Sequence, residues 1–360
     1  MAEVQSGLEG VVAFATEIAE PDREGGALRY RGVDIEELVG RVPFEHVWGL
    51  LVDGRLEPGL PPADPYPLTV RSGDPRVDMQ AALALLGPEW GFEPLIDISD
   101  EVARDQLARA TVMAVSLIAH AARGTGRPPV PRREIDQATS IPGRFLMRWR
   151  GEADPTHVKA LDAYWIAAAE HGMNASTFTA RVVASTGADV AAALSAAVGA
   201  LSGPLHGGAP SRVLRRLDEV EAGADARGWV RAALDRGERL MGFGHRVYRA
   251  EDPRARVLRR TAREVGSPRL AAAEALEAAA LTELAERHPE RVLATNVEFW
   301  SAVVLDHAGV SAYLFKQMFA CARTAGWSAH ILEQKREGRL IRPTARYVGL
   351  AARSLDAVPA

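Results

Sequence analysis

Cys321 is the only cysteine in the chain, so no intrachain disulfide can form and a cysteine-based zinc site is excluded. No HExxH spacing occurs, which sets aside a zincin-type metal centre. Long apolar runs are missing too: the longest stretch, residues 110–122, contains His120 and is too short to cross a bilayer. Nor does one sign of charge dominate. Forty-three Lys and Arg face 47 Asp and Glu, for a net charge of -4 and a pI of about 6.2. No global basic field is present to recruit nucleic acid, so anionic ligands have to be held by local arginines. The opening MAEVQSGLEG has neither a basic n-region nor an apolar h-region and does not read as a signal peptide; a cytoplasmic protein with no membrane partner is expected. Strand signals are sparse. Only residues 26–30 and 242–248 look extended, and nothing suggests alternating βαβ units.

What is there is helix. The 360 residues are 47% hydrophobic and 25% charged, enough for a sizeable core in one large or two modest domains. Asp34 with Glu37 forms a capping-box pattern. Phe44, Val47, Trp48 and Leu51 follow at i, i+3, i+4 and i+7, which places them on one helical face. Asp74-Pro75 and Asp154-Pro155 each set an N-cap before a proline at the first helical position, with stops expected at Gly87 and Gly172. Further helices are expected over 100–123, 176–185, 189–201, 253–265, 268–287 and 311–336. The fold class is therefore mainly α, with sites at helix ends and in connecting loops.

Three segments combine a histidine with helix-breaking glycine: Glu170-His171-Gly172, Gly203-Pro204-Leu205-His206-Gly207-Gly208 and Gly242-Phe243-Gly244-His245-Arg246. Glycine allows close approach of backbone to a ligand, and a histidine among glycines sits in a loop. Each segment also has a plain structural reading, since histidine near a helix C-terminus is a favourable dipole partner. His46, His120, His157, His288, His307 and His330 are placed in that structural class. The motifs alone leave a histidine-based enzyme and a set of structural histidines both open. Arginines crowd the stretch after His245, at 246, 249, 254, 256, 259 and 260. A solvated helix face and a carboxylate- or phosphate-binding surface both fit that run. Arg323 lies inside a mostly apolar helix, where a buried guanidinium requires an anionic partner.

The pattern as a whole resembles the citrate synthase family. Gly203-Pro-Leu-His206-Gly-Gly-Ala is similar to the family signature around the histidine that holds the enol of acetyl-CoA. Gly242-Phe-Gly-His245-Arg-Val-Tyr-Arg-Ala-Glu-Asp-Pro-Arg254 resembles the segment carrying the second catalytic histidine and an oxaloacetate arginine. His171-Gly-Met-Asn-Ala-Ser-Thr and Ala-Arg323-Thr-Ala-Gly-Trp follow two further substrate motifs. Arg342-Pro matches an arginine that reaches into the partner subunit's site, and the segments from Gly7 and Leu28 follow the bacterial pattern. The resemblance covers nearly the whole chain, in order. It implies an all-helical homodimer with a large domain (1–207 plus 310–360) and a small CoA-binding domain (208–309) closing on substrate.

The activity it implies is condensation of acetyl-CoA with oxaloacetate, followed by thioester hydrolysis, with no cofactor. Carried over by position, His206, His245 and Glu298 are catalytic, and His171, Arg254, Arg323 and Arg342 hold oxaloacetate. Leu240, Gly242, Gly244, Arg249 and Asn296 face CoA. One departure stands out: the family places aspartate after Asn-Val, and here Asn296-Val297 is followed by Glu298. Glutamate carries the carboxylate about 1.5 Å further, one carbon–carbon bond. Two alternatives follow, a 2-methylcitrate synthase using propionyl-CoA and a weakly active paralogue that only binds oxaloacetate or CoA. A nucleic-acid- or partner-binding helical protein rests on the arginine run alone, and the acidic pI opposes it.

Overall fold

The computed structural model describes residues 4–354 except 9, 23, 25, 65–69, 205, 207–209, 245–247 and 249, and of residues 210–212 it describes the backbone only. A small antiparallel sheet near the N-terminus is formed by β1 (Ala19–Asp22), β2 (Ala27–Tyr30) and β3 (Val33–Asp34), in that order. Every other regular element among the described residues is helical. The first half comprises α1 (Ile35–Leu38), α2 (Phe44–Asp53), α3 (Pro75–Trp90), α4 (Asp100–Arg123), α5 (Arg132–Ile135), α6 (Ile141–Arg150) and α7 (Pro155–Ala168). There follow α8 (Ala175–Ser185), α9 (Val190–Leu201), α10 (Pro210–Glu221), α11 (Ala226–Asp235), α12 (Pro253–Glu264), α13 (Leu270–Arg287), α14 (Val297–His307) and α15 (Phe315–Glu337).

Local chemistry explains most of these boundaries. Asp74 and Asp154 cap α3 and α7 through their carboxylates, each ahead of a proline in the first turn. Asp252 does the same for α12, and Asn174 and Asn296 cap α8 and α14. Phe44, Val47, Trp48 and Leu51 are all buried, as their spacing predicts.

Several expectations are corrected. Helix α3 runs through Pro88 to Trp90 and stops at Gly91, whose φ of 64° is the left-handed C-cap conformation, so Gly87 is interior. Helix α7 ends at Ala168, four residues before Gly172. Asp34 does cap α1, but Glu37 pairs with Arg41 on the next turn, so the capping box is half formed. The 311–336 helix opens with a short 3₁₀ turn over Ala312–Leu314. Among the described members of residues 242–248 there is no strand, only a single antiparallel bridge, Phe243 to Thr295.

Helix α15 runs through the middle of the molecule and packs against α2, α4, α7, α8 and α9. Seventeen of its residues are buried, from Phe315 to Gln334, and Arg323 is among them. Helices α10 to α14 pack largely on one another, while α12 and α14 also lean on α7. Helix α7 thus joins α12 and α14 to α15, which carries α8 on its other contacts. Among the described residues no helix is long and apolar enough to cross a membrane.

Candidate active site

His206 follows the short turn after α9 and points at the N-terminus of α8. The backbone N–H of Ser176 donates to its Nε2 (3.3 Å), and the Ser176 hydroxyl lies 2.9 Å from the same atom. A backbone N–H can only donate, so Nε2 is the acceptor and the proton of the neutral ring sits on Nδ1. Burial, then the charge of Arg323, push the imidazole down to about 4. The positive end of the α8 dipole acts in the same direction. At neutral pH the ring is an uncharged N–H donor with a fixed tautomer. Trp327, one turn after Arg323 on α15, donates its indole N–H to Ser176 Oγ (3.2 Å) and ties this corner to the central helix.

Arg323 itself is buried, with 2% exposure. Its Nε donates to Ala168 O (3.1 Å) and its guanidinium stacks over Phe319 at 4.7 Å. The two terminal nitrogens make no hydrogen bond to any described residue. Burial lowers its affinity for the proton; Glu170 acts against that, and Arg254 reinforces it. Two buried guanidiniums thus stand close enough to repel each other, a costly arrangement without an anion between them.

Arg254 is neutralised within its own segment. Its Nε and Nη2 make a fork with Asp252 (2.9 and 2.8 Å), both side chains almost fully buried. The same Asp252 carboxylate accepts the backbone N–H of Val297 (3.0 Å). Asn296 Oδ1 accepts from the N–H of Glu298 (3.0 Å), and its Nδ2 donates to Gly244 O (2.8 Å). Two backbone hydrogen bonds, Gly244 N–H to Ala294 O (2.7 Å) and Asn296 N–H to Gly242 O (2.9 Å), complete the clasp. The first turn of α14 is pinned on both sides, to the Gly242–Gly244 loop and to the Arg254 helix. Gly242 sits at φ 95° with its α-carbon against Phe299, where a Cβ would come within 3.0 Å of the Phe299 Cβ.

His171 lies on the opposite wall. Its Nε2 is 3.0 Å from the Tyr248 hydroxyl, and the rings meet edge to face at 5.3 Å. Its backbone N–H donates to Glu170 Oε1 (2.8 Å). Burial alone would raise the Glu170 carboxyl; the nearby His330 and Arg323 and the His171 N–H more than offset that and hold it below the usual range. Tyr30 fastens this wall from below, its hydroxyl 2.9 Å from Ile166 O and 3.1 Å from Glu170 O. Burial pushes the Tyr164 phenol well up, against the lowering charge of Arg323.

Mutual electrostatic influence links these groups: Arg323 acts on His206 and with Arg254 and Glu170, Tyr164 feels Arg323, Arg254 and Glu298, and His171 joins through Tyr248, which feels Arg254. Glu298 is half-buried, next to Asn296 and the Gly242–Gly244 loop bonded to it, while Leu240 lines a small apolar pocket with Phe243 and Phe299. His245 and Arg249 lie outside the described residues. Arg342 is exposed on the extended segment after α15 and makes no hydrogen bond or ion pair to the others within one chain. The arginine run resolves into paired groups: Arg256 bonds Glu36, Arg259 bonds Glu251 and Glu277, and Arg260 bonds the carbonyls of Glu36 and Val39. That disposes of a free basic surface among its described members. Sequence reasoning missed Asp252, Glu170 and Ser176. Asp252-Pro253 repeats the Asp-Pro cap pattern and was readable as a cap; its second role, on Val297, needs the fold. Among the described residues no group of three or more potential ligands could hold a metal ion.

A mainly helical protein that gathers two imidazoles, two buried guanidiniums and a carboxylate has the groups to bind a small polyanion and move protons beside it. Comparison with known proteins makes the class specific. The family model for citrate synthase, C-terminal domain, matches residues 7–61 and 67–344. A Mycobacterium tuberculosis H37Rv protein provisionally named citrate synthase 2 is 66% identical over 98% of this chain and 95% of its own. Haloferax volcanii citrate synthase is 36% identical over 99% of this chain and 98% of its own, and Shewanella oneidensis 2-methylcitrate synthase 32% over 97% and 96%. Among solved structures, citrate synthase of Thermoplasma acidophilum in a ternary complex with carboxymethyl coenzyme A and oxaloacetate superposes with a TM-score of 0.83. It is 27% identical and covers 100% of this chain and 99% of its own. The chain belongs to the citrate synthase family and is a transferase of the citrate (Si)-synthase type.

Proposed function

We propose that the chain condenses acetyl-CoA with oxaloacetate and hydrolyses the resulting thioester to citrate and CoA. The observation that carries this is Arg323: a buried guanidinium with two uncommitted nitrogens, beside Arg254, calls for a compact dicarboxylate. Glu298 takes a methyl proton of the thioester. The enolate oxygen receives a hydrogen bond from Nδ1–H of the neutral His206, a donor that needs no reorganisation. The enolate carbon attacks the ketone of oxaloacetate, and as the C=O π bond opens His245 gives its proton to the oxygen, which becomes the hydroxyl of the product. Arg254, Arg323 and His171 hold the two carboxylates in attack geometry, and Arg342 of the second subunit of a homodimer closes the site. Backbone from Leu240 to Gly244, with Asn296 and Arg249, faces CoA. Water then cleaves the thioester, releasing CoA as thiol and the product as carboxylate.

In this reading residues 208–309 form a small domain that closes on residues 1–207 and 310–360 and excludes water until the new bond has formed. No cofactor takes part, and the protein works in the cytoplasm. Thiol release by the purified chain, followed with acetyl-CoA and propionyl-CoA in turn, with and without oxaloacetate, tests the proposal. Oxaloacetate-dependent release faster with acetyl-CoA is expected. Preference for propionyl-CoA refutes the acyl assignment, and release that ignores oxaloacetate refutes the condensation.

A further inference from the structure

A second cavity, of about 820 Å³, opens where the C-terminal end of α4 meets α6 and the loop 124–131. None of its lining residues belongs to the group around His206 and Glu298. Six arginines face it against two aspartates, Asp64 and Asp136. Asp64 is occupied by Arg109, from outside the lining, and Asp136 is shared between Arg132 and Arg144. Positive charge therefore remains. Arg123 donates to the neutral carbonyls of Pro128 (2.7 Å) and Trp149 (2.9 Å), which orient its guanidinium without neutralising it. Arg127 and Arg148 make no hydrogen bond or ion pair to any described residue. His120 is half-buried in the same wall; burial first, then Arg148, Arg71 and Arg123, push it down to about 4, so it faces the space as a neutral ring.

The dipole of a helix C-terminus accounts for one cation at the end of α4 and another at the end of α6. It does not account for Arg127, which lies on the loop, nor for a half-buried Arg148 on which the like charge of Arg144 acts more strongly than the opposite charge of Asp136. Guanidinium forks outnumbering the carboxylates beside them are the arrangement that binds phosphoryl oxygens two at a time. Among the described lining residues there is no Phe, Tyr or Trp to offer a nucleobase a broad stacking face.

We propose that this cavity is a binding site for a small multivalent oxyanion of the oligophosphate class, recognised through its phosphate groups alone. Calorimetric titration of the full chain with inorganic tripolyphosphate tests it. One site per chain is expected, weakening as salt rises. Arg127→Ala and Arg148→Ala, singly and together, should weaken binding by about tenfold or more. Arg263→Ala, which removes an exposed arginine paired with Glu274 elsewhere on the surface, should leave it unchanged. Arg127 is exposed, so its variant keeps the test valid even where Arg148→Ala lowers stability. ATP should bind within about threefold of tripolyphosphate if only phosphates are read. Absence of tripolyphosphate binding, equal binding by the arginine variants, or a large preference for ATP would each overturn the assignment.

Discussion

Shortening Glu298 to aspartate moves one carboxylate by one carbon–carbon bond, about 1.5 Å, and the structure says what else moves. Very little can. The Glu298 N–H is held by Asn296, the Val297 N–H by Asp252, and Asn296 is itself bonded to Gly242 and Gly244. The first turn of α14 cannot slide forward to return the shorter side chain to its place without breaking this clasp. A misplacement of about 1 Å can cost roughly a hundredfold in rate, which is about 2.7 kcal/mol of barrier. Glu298→Asp is therefore expected to lower kcat about a hundredfold for acetyl-CoA condensation. KM for oxaloacetate should change little, because Arg254 and Arg323 are untouched. Glu298→Gln removes the base and should cost about 10²- to 10⁴-fold. Both variants keep the backbone hydrogen bonds of the cap, so an unchanged Tm serves as the folding control. Initial rates of thiol release on the three proteins decide the matter. A Glu298→Asp enzyme as fast as the parent, or faster, would refute the claim that the pinned helix and the longer side chain together place the base. A Glu298→Gln enzyme at full rate would refute the base assignment itself.

Asp252→Asn leaves a buried Arg254 without its counter-charge, and breaking such a pair by removing one partner costs about 3–5 kcal/mol; urea denaturation should show that loss together with a raised KM for oxaloacetate. Gly326→Ala pushes a Cβ to 2.0 Å from Glu170 Oε2 and 2.6 Å from Ala169 O, so α15 has to move off the His171 wall. Overpacking of this kind costs about 1–3 kcal/mol, read as a lowered Tm, whereas the exposed Gly338→Ala should respond only to its own left-handed φ. His206 and His120 both titrate at about 4 in the folded chain and near 6.5 when unfolded, so the unfolded chain binds more protons between those values. Their contribution to stability is complete above about 6.5 and is lost as pH falls towards 4; denaturation midpoints from pH 7 to 4 check the sign, and His206→Gln should flatten the slope.

The helical frame was legible because its punctuation is chemical and local. Asp-Pro at 74 and 154 set caps, and apolar residues at helical spacing on α2 set a face; both act within a few residues and survive any tertiary context. Strands β1 and β3 were not legible. Ala19–Asp22 reads AEPD, with a proline and two acids, and extends only because β2 pairs with it at the edge of a three-stranded sheet. Helix α10 carries a signal that could have found it, Val213, Leu217 and Val220 at i, i+4 and i+7, next to glycines that suggest only a loop. For the site, sequence resemblance supplied the residues but not the way they are held. Nothing within a few residues of Arg254 announces that its counter-ion Asp252 also grips the first turn of α14, 45 residues on. Nor does the Asn174-Ala-Ser176 motif show that Ser176 sets the tautomer of His206, 30 residues away. These are links between loops, made only when α7, α8, α12, α14 and α15 converge. The carboxylate of Glu298 takes its position from that convergence, so the fold, and not the length of the acid alone, decides whether glutamate can do the work of aspartate here.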